Sequence, residues 1–400
     1  MLLTLLLACG PTVANSDSGK TDDSPVADDS PVTDDSPATD DSPVTDDSPS
    51  ATDSGGEGGE GGEGGEGGDD SAPDDTGPTD CSAEACDDGI DCTEDTCDDQ
   101  DRCVHHADDV CDWPASLPPD VTALAGLDTS FEISLSGATW DPTHRALWVV
   151  RGNGATAWRL IEDGAGSWEI DLETSLGSID AESVVVVDPV SAPETLHIMV
   201  ELEEVVMAFD AGAGADADEL RTWDTSPWLD TSGSRGSEGM TFIPDDALRA
   251  WGFTDGEGDL RTSALGYGGL FFVGTQNGGE IHVFDLSSTD DTVEEVGVYV
   301  TSREDTSGLE FDAGTGRLYI WHGGDDNDLE IVRLSSTEDS GTRSFDTEVI
   351  FDYPGTDNIE GIAMEGLEDC AGGVRPLFLT IDDGDERALD VYTDWPLCGP

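Results

Sequence analysis

Lysine is almost absent from this chain: Lys20 stands alone among 400 residues. That removes Schiff-base chemistry from the folded part, along with a phosphate-cradling lysine and most ways of gripping a polyanion. Positive charge of any kind is scarce, with 15 Lys and Arg against 91 Asp and Glu and a formal net charge of −76. Such a field repels nucleic-acid phosphate and anionic headgroups, because binding either depends on cationic side chains displacing counterions. Nucleic acid is therefore excluded as a partner, and a membrane can be met only through an attached lipid. Also missing are a G-x-S-x-G elbow, an H-E-x-x-H pair and any Ser, His and Asp set at recognisable spacing, so enzyme signals are thin and the reading leans away from catalysis.

What is present divides the chain into four parts: 1–9, 10–80, 81–112 and 113–400. The first is an apolar start, Leu2 to Ala8, that ends at Cys9. It is too short to span a bilayer. Leu6-Leu7-Ala8-Cys9 resembles the bacterial lipobox, which implies that Cys9 is lipidated and becomes the mature N-terminus. The run lacks a basic leader and is shorter than an ordinary secretory signal, as a start assigned too far downstream would leave it. With Gly10 after the cysteine, the resemblance implies an outer-membrane lipoprotein exposed at the cell surface, secretion being the alternative.

From Thr21 a hexamer runs five times, TDDSPV, ADDSPV, TDDSPA, TDDSPV and TDDSPS, and Gly-Gly-Glu units follow from Gly55 to Glu66. A unit with two Asp, one Pro and at most one small apolar residue has nothing to bury against its neighbour, so the entropy of ordering is not offset. Residues 10–80 are expected to be a disordered acidic linker. About 70 residues reach roughly 230 Å extended and roughly 45 Å as a root-mean-square coil.

Nine cysteines partition as Cys9, a group of six (Cys81, Cys86, Cys92, Cys97, Cys103, Cys111) and the pair Cys370 and Cys398. Residues 81–112 are too few for an apolar core, so three disulfides are expected to hold them, with fifteen connectivities open. Zinc is the rival reading, since His105 and His106 lie beside Cys103. Cys86-Asp-Asp-Gly-Ile-Asp-Cys92-Thr-Glu-Asp-Thr-Cys97 resembles the short cysteine-rich repeat of myxobacterial and slime-mould surface proteins. Cys370 and Cys398 are expected to pair and to pin the end of the chain, offsetting roughly 3 kcal/mol of chain entropy.

After Trp113 the chain breaks into short apolar runs separated by Gly, Asp and Asn, which reads as all-β. Five openings recur: Ser136-Gly-Ala-Thr-Trp, Glu182-Ser-Val-Val-Val, Glu238-Gly-Met-Thr-Phe, Ser307-Gly-Leu-Glu-Phe and Glu360-Gly-Ile-Ala-Met. Each is followed by a second and a third strand, and the first four units by a fourth. FEISL at 131–135 is a candidate for the strand missing from the fifth. Radial four-stranded sheets describe a β-propeller. Five blades are counted, and the spacings of 46, 56, 69 and 53 residues between openings leave a sixth open.

The alternating S-G and E-G openings resemble the SdiA-regulated and the phytase-like or esterase-like propeller families. A true phytase is disfavoured, because phosphate clamps use lysine as well as arginine. Opening strands of a propeller are innermost, so Glu182, Glu238 and Glu360 are expected to converge at the channel mouth, with Asp180 and Asn358 two residues upstream and Ser136 and Ser307 completing the ring. Oxygen-only ligands favour calcium, and resemblance to gluconolactonase-type propellers, which hold a metal near an E-G opening, points the same way. The competing expectation makes each glutamate a latch on the backbone of the next blade. His144, His282 and His322 are expected to be packing residues, and Asp325 to Asp328 and Asp382 to Asp385 solvated turns, with weak calcium binding as their alternative. The function expected is a binding module for an extracellular protein, glycan or small molecule; the alternative is a metal-dependent lactonase or esterase using the mouth carboxylates.

Overall fold

A computed structural model describes residues 90, 92–97, 103–107, 110–117, 119 and 134–398, apart from loops at 153, 163–166, 188–193, 230–235, 325 and 383–387. Cys9, the acidic linker, Cys81 and Cys86 lie outside the described residues, as does the side chain of Cys103.

Among the described residues, three short strands precede the large domain: β1 (Glu94–Cys97), β2 (Cys103–His106) and β3 (Cys111–Asp112). The first blade comprises β4 (Gly137–Asp141), β5 (Ala146–Arg151), β6 (Thr156–Glu162) and β7 (Trp168–Ser175). The second comprises β8 (Ala181–Val186), β9 (Thr195–Val200), β10 (Val205–Asp210) and β11 (Asp218–Asp224). In the third are β12 (Ser237–Pro244), β13 (Gly269–Thr275), β14 (Glu280–Leu286) and β15 (Val293–Val300). The fourth holds β16 (Gly308–Asp312), β17 (Arg317–His322), β18 (Asp328–Asp339) and β19 (Thr342–Asp352). The fifth has three strands among the described residues, β20 (Ile359–Met364), β21 (Arg375–Ile381) and β22 (Leu389–Trp395). Every blade is an antiparallel meander in chain order.

The opening strands close a ring: β4 lies against β8, β8 against β12, β12 against β16, β16 against β20, and β20 returns to β4. This cycle fixes the architecture as a five-bladed propeller. Middle strands such as Gly269–Thr275 and Arg317–His322 are buried along their whole length. They read as continuous apolar runs because both faces are covered by neighbouring blades. Of FEISL, Ser134 and Leu135 are described and are not in a strand; the Leu135 N–H donates to the Ile381 carbonyl, and 131–133 lie outside the described residues.

The small residue after each opening Ser or Glu has a steric cause. A Cβ on Gly137 would stand 2.5 Å from Ser183 Cα, and one on Gly239 2.9 Å from the Gly308 carbonyl carbon. On Gly361 it would meet the Ser136 carbonyl at 2.6 Å and Gly137 Cα at 2.9 Å. Inner strands thus approach backbone to backbone. Gly361→Ala should cost roughly 1–3 kcal/mol, the penalty of overpacking an interior that cannot yield, read as a lower midpoint in urea with an unchanged slope.

Hydroxyls latch the blades together. Ser183 Oγ accepts from the Met240 N–H at 2.9 Å, Ser307 Oγ donates to the Ile359 carbonyl at 3.1 Å, and Thr380 Oγ1 donates to the Ser136 carbonyl at 2.8 Å. Ser183, which departs from the glycine pattern, thereby joins blades two and three.

The cysteine-rich segment lies on blades four and five. Strand β3 pairs in parallel with Phe351–Asp352 of β19, and Ile90, Cys111 and Ala115 share an apolar cluster with Trp321, Phe351 and Trp395. The Trp113 ring sits 5.0–6.0 Å from the rings of Trp321, Tyr353, Tyr392 and Trp395. Cys92 is bonded to Cys111, Cys370 to Cys398, and Cys97 is also in a disulfide. A disulfide at Cys92 and Cys111 leaves no thiolate there for zinc, and His105 Nδ1 is engaged by Asp95 at 2.8 Å.

Candidate metal centre at the channel mouth

Register places the three glutamates. In β8, Ala181 pairs with Val200 and Ser183 with Met199, so Glu182 is an extra residue without a partner across the ladder. Strand β20 repeats this, with Ile359 opposite Ile381 and Gly361 opposite Thr380, leaving Glu360 as the extra residue. In β12 the register shifts between Ser237 and Met240, the step that contains Glu238. The opening strands of blades one and four, which follow a serine, pair with their second strands without a shift. A β-bulge re-aims the side chain it carries. Among the opening strands, the bulges therefore fall on the three that carry a glutamate, and those side chains converge.

The result is a convergent triad: one carboxylate oxygen from each of Glu182, Glu238 and Glu360 lies within 4.8 Å of the others. Glu182 and Glu238 are 8% and 5% exposed. Burial is the largest cause acting on each of the three carboxyls, and mutual repulsion adds to it. Glu182 is raised to about 8, with Asp180 and Glu201 contributing and the Ser136 hydroxyl opposing. Glu360 is pushed to about 9 by burial, Asp382 and Glu182, against the Asn358 amide. Glu238 is raised well above the usual carboxylate range, with no hydrogen bond among the main influences to offset its burial. Three carboxylates at this separation cannot all ionise unless a cation is shared among them.

A second oxygen set joins the first through Glu182, which is grouped with Asp180 and Glu201. Asp180 thus stands beside the triad. Asn358 Nδ2 donates to Glu360 Oε1 at 2.7 Å, so Asn358 orients Glu360. Ser136 stays at the mouth through Glu182. Ser307, at the opening of blade four, donates its hydroxyl to the Ile359 carbonyl at 3.1 Å. Hydroxyls supply the blade-to-blade bonds described above, and a latch role for the glutamates stands as the alternative to a cation site.

Sequence reasoning missed Glu201 and took Asp382 only as part of a solvated turn. Each directly follows the second strand of its blade, and its N–H donates across the ladder, Glu201 to the Asp180 carbonyl at 3.0 Å and Asp382 to the Asn358 carbonyl at 3.0 Å. Aligning the ends of TLHIMV and PLFLTI on one another exposes both positions. Asp328 is also not a solvated turn residue, being 6% exposed and bonded to Arg303 Nη2 at 2.7 Å.

The histidines are elsewhere. His144 meets Asp141 at 2.6 Å, His282 meets Glu295 at 2.9 Å and His322 meets Glu330 at 2.9 Å. His197 is 2% exposed among Trp223, Tyr267 and Phe271, where burial pulls its pKa down to about 3 and keeps it neutral.

No protein-family model matches the chain, and no curated protein matches it in sequence. Among solved structures, it is similar to a glutaminyl cyclase from Myxococcus xanthus, at 14% identity, covering 66% of this chain and 92% of that one with a TM-score of 0.40. A chain of the mitotic checkpoint complex is similar at 12% identity, 72% and 96% coverage and a TM-score of 0.32. Likenesses at these values carry nothing about activity.

Proposed function

We propose that the chain is a lipid-anchored surface protein that presents, on an acidic stalk, a propeller organised around a calcium ion and acting as a binding module. The observation carrying the cation is the bulge-aimed triad of buried Glu182 and Glu238 with half-buried Glu360, which has no basic partner among its main influences. The donor set fits the ion: all donors are oxygens, several are carboxylates, and Asp180 and Glu201, grouped with Glu182, widen the shell toward the 6–8 ligands calcium takes. Bound there, calcium would supply a positive centre in a strongly negative ring, to which a carbonyl or hydroxyl of an extracellular protein, glycan or small molecule could add a ligand. Cys9 supports the anchor through its lipobox resemblance, and the composition of 10–80 supports the stalk.

A ligand bound only by the folded state stabilises it by about 2.7 kcal/mol at a hundredfold excess over Kd. The full chain should melt several degrees higher in calcium than in chelator at matched ionic strength, and the gain should vanish in the Glu182→Gln, Glu238→Gln, Glu360→Gln triple variant. Magnesium controls for screening, which stabilises any protein so rich in like charge. Equal gains from both ions, undiminished in the variant, would remove the calcium centre.

One observation favours a second reading, a metal-dependent lactonase or esterase. Carboxyls held near 8 and 9 are suited to proton transfer at neutral pH. Turnover of an ester or lactone panel by the calcium-loaded protein, lost in the triple variant, would establish it.

A further inference from the structure

Between blades three and four lies a cavity of about 260 Å³ whose lining includes none of the mouth carboxylates. Its construction is specific to this seam. The outer strands β15 and β19 are joined by a single parallel pair, Val300 with Ser344, and beneath that pinch the blades separate. Strands β18 and β19 are 12 and 11 residues long, where the other strands of the ring have 5–8. The long insertion of blade three braces the same place. Tyr299 donates its hydroxyl to the Thr254 carbonyl and stacks on Phe345 at 4.3 Å, and Thr254 Oγ1 meets Ser336 Oγ at 2.8 Å. Two elaborations of the repeat therefore converge on one cavity wall.

The lining combines one charge with hydroxyls and an apolar floor. Glu330, 1% exposed, is the only charged side chain among the described residues that line it; Ser302, Ser344 and Thr347 supply hydroxyls, and Ile320 and Phe345 supply apolar surface. Glu330 Oε2 accepts from the Ser302 N–H at 3.0 Å and engages His322 Nε2 at 2.9 Å, while Oε1 accepts from Thr347 Oγ1 at 2.5 Å. A carboxylate offers about four acceptor sites, so one remains. The fixed donors hold Glu330 below the ordinary carboxylate range despite its burial. His322 cannot serve as a base for Ser302, because its Nε2 faces both Ser302 and Glu330 and its Nδ1 is turned to the Asp305 carbonyl.

We propose that this cleft is a binding site for a small organic ammonium ligand, whose charged end meets Glu330 and the hydroxyls while its alkyl part lies on Ile320 and Phe345. A cavity below the ~300–1,000 Å³ of drug-sized pockets admits only a small molecule. A single carboxylate is too few ligands for a hard metal ion. An anionic ligand would have to enter against the field of the whole protein, which draws cations in.

The test is titration calorimetry of the calcium-saturated full chain with butylammonium chloride, against sodium chloride at equal ionic strength and against glycerol. Saturable binding of one butylammonium per chain is expected, weakened at least tenfold in Glu330→Gln and in Ser344→Phe. The second variant fills the cleft without touching the Glu330 bonds. The mouth triple variant should bind butylammonium as wild type does, which separates this site from the calcium centre. No saturable heat, equal binding by Ser344→Phe, loss in the mouth variant, or preference for glycerol would each overturn the proposal.

Discussion

Asp312→Ala should lower the stability of the propeller by roughly 3–5 kcal/mol, the usual cost of removing one partner from a buried ion pair. Arg375, at the start of β21, is 1% exposed and reaches back to blade four, where its Nη2 meets Asp312 Oδ2 at 2.5 Å. Asp312 also accepts from the Thr315 hydroxyl at 2.7 Å and the Gly314 N–H at 2.9 Å, so it holds the β16–β17 turn and the seam together. Glu310 lies two residues upstream on the same strand and is itself fully desolvated. Burial first and Asp312 second hold its carboxyl well above the usual range in the wild-type fold, with Arg375 opposing. At about 2–4 °C per kcal/mol for domains approaching this size, Asp312→Ala should melt on the order of ten degrees lower. Arg375→Met should be milder, because it removes the charge that the first variant strands. The double variant should recover much of the loss. A double variant no better than Asp312→Ala would show that the turn, and not the uncompensated arginine, carries the effect.

The openings that recur along the chain were legible because the propeller repeats one strand pattern five times, and each repeat exposes the same demand for a small residue where inner strands touch. Ser183 looked like a flaw in that pattern until its hydroxyl was seen to bond Met240. The convergence of Glu182, Glu238 and Glu360 also followed from the repeat, since equivalent positions in a closed ring face one axis. The bulges that aim them did not, because one extra residue in an almost wholly apolar strand of six to eight residues leaves no break in the pattern. Glu201 and Asp382 were hidden for a related reason. They neighbour Asp180 and Asn358 only through ladder register, across sequence distances that composition does not bridge. The docking of Trp113 among Trp321, Tyr353, Tyr392 and Trp395 was equally invisible: an aromatic residue at a boundary between two textures looks the same whether it faces solvent or a neighbouring blade. The cleft at Glu330 depends on two insertions meeting, and an insertion reads in sequence only as extra length.

In chelator, the triple variant Glu182→Gln, Glu238→Gln, Glu360→Gln should be more stable than wild type at pH 8 and close to it at pH 5. The carboxyls of the mouth sit above their ordinary value in the fold, Glu182 at about 8 and Glu360 at about 9, chiefly because burial disfavours their charge. A group whose folded pKa is raised contributes stability that is complete below its unfolded value, near 4.5, and is lost as pH rises through the folded value. The metal-free wild type should therefore lose stability between about pH 5 and pH 9 as the unfolded chain releases protons that the mouth retains. A tenfold difference in proton affinity between the folded and unfolded chain is worth about 1.4 kcal/mol. Because the three groups share their protons, the losses do not add, and roughly a few kcal/mol for the whole triad is the reasonable scale. That should appear as a midpoint roughly 5–10 °C higher for the variant at pH 8 in chelator. Glu365, raised to about 7 mainly by burial and by Asp369, leaves the variant a weaker slope of the same sign. Calcium should reverse the ranking in wild type alone, since the ion binds the ionised carboxylates and its benefit grows over the interval in which the metal-free fold weakens. Wild-type and variant curves that run parallel from pH 5 to pH 9 in chelator would mean that the triad is hydrated and carries no stored repulsion. The mouth would then have no electrostatic reason to hold a cation.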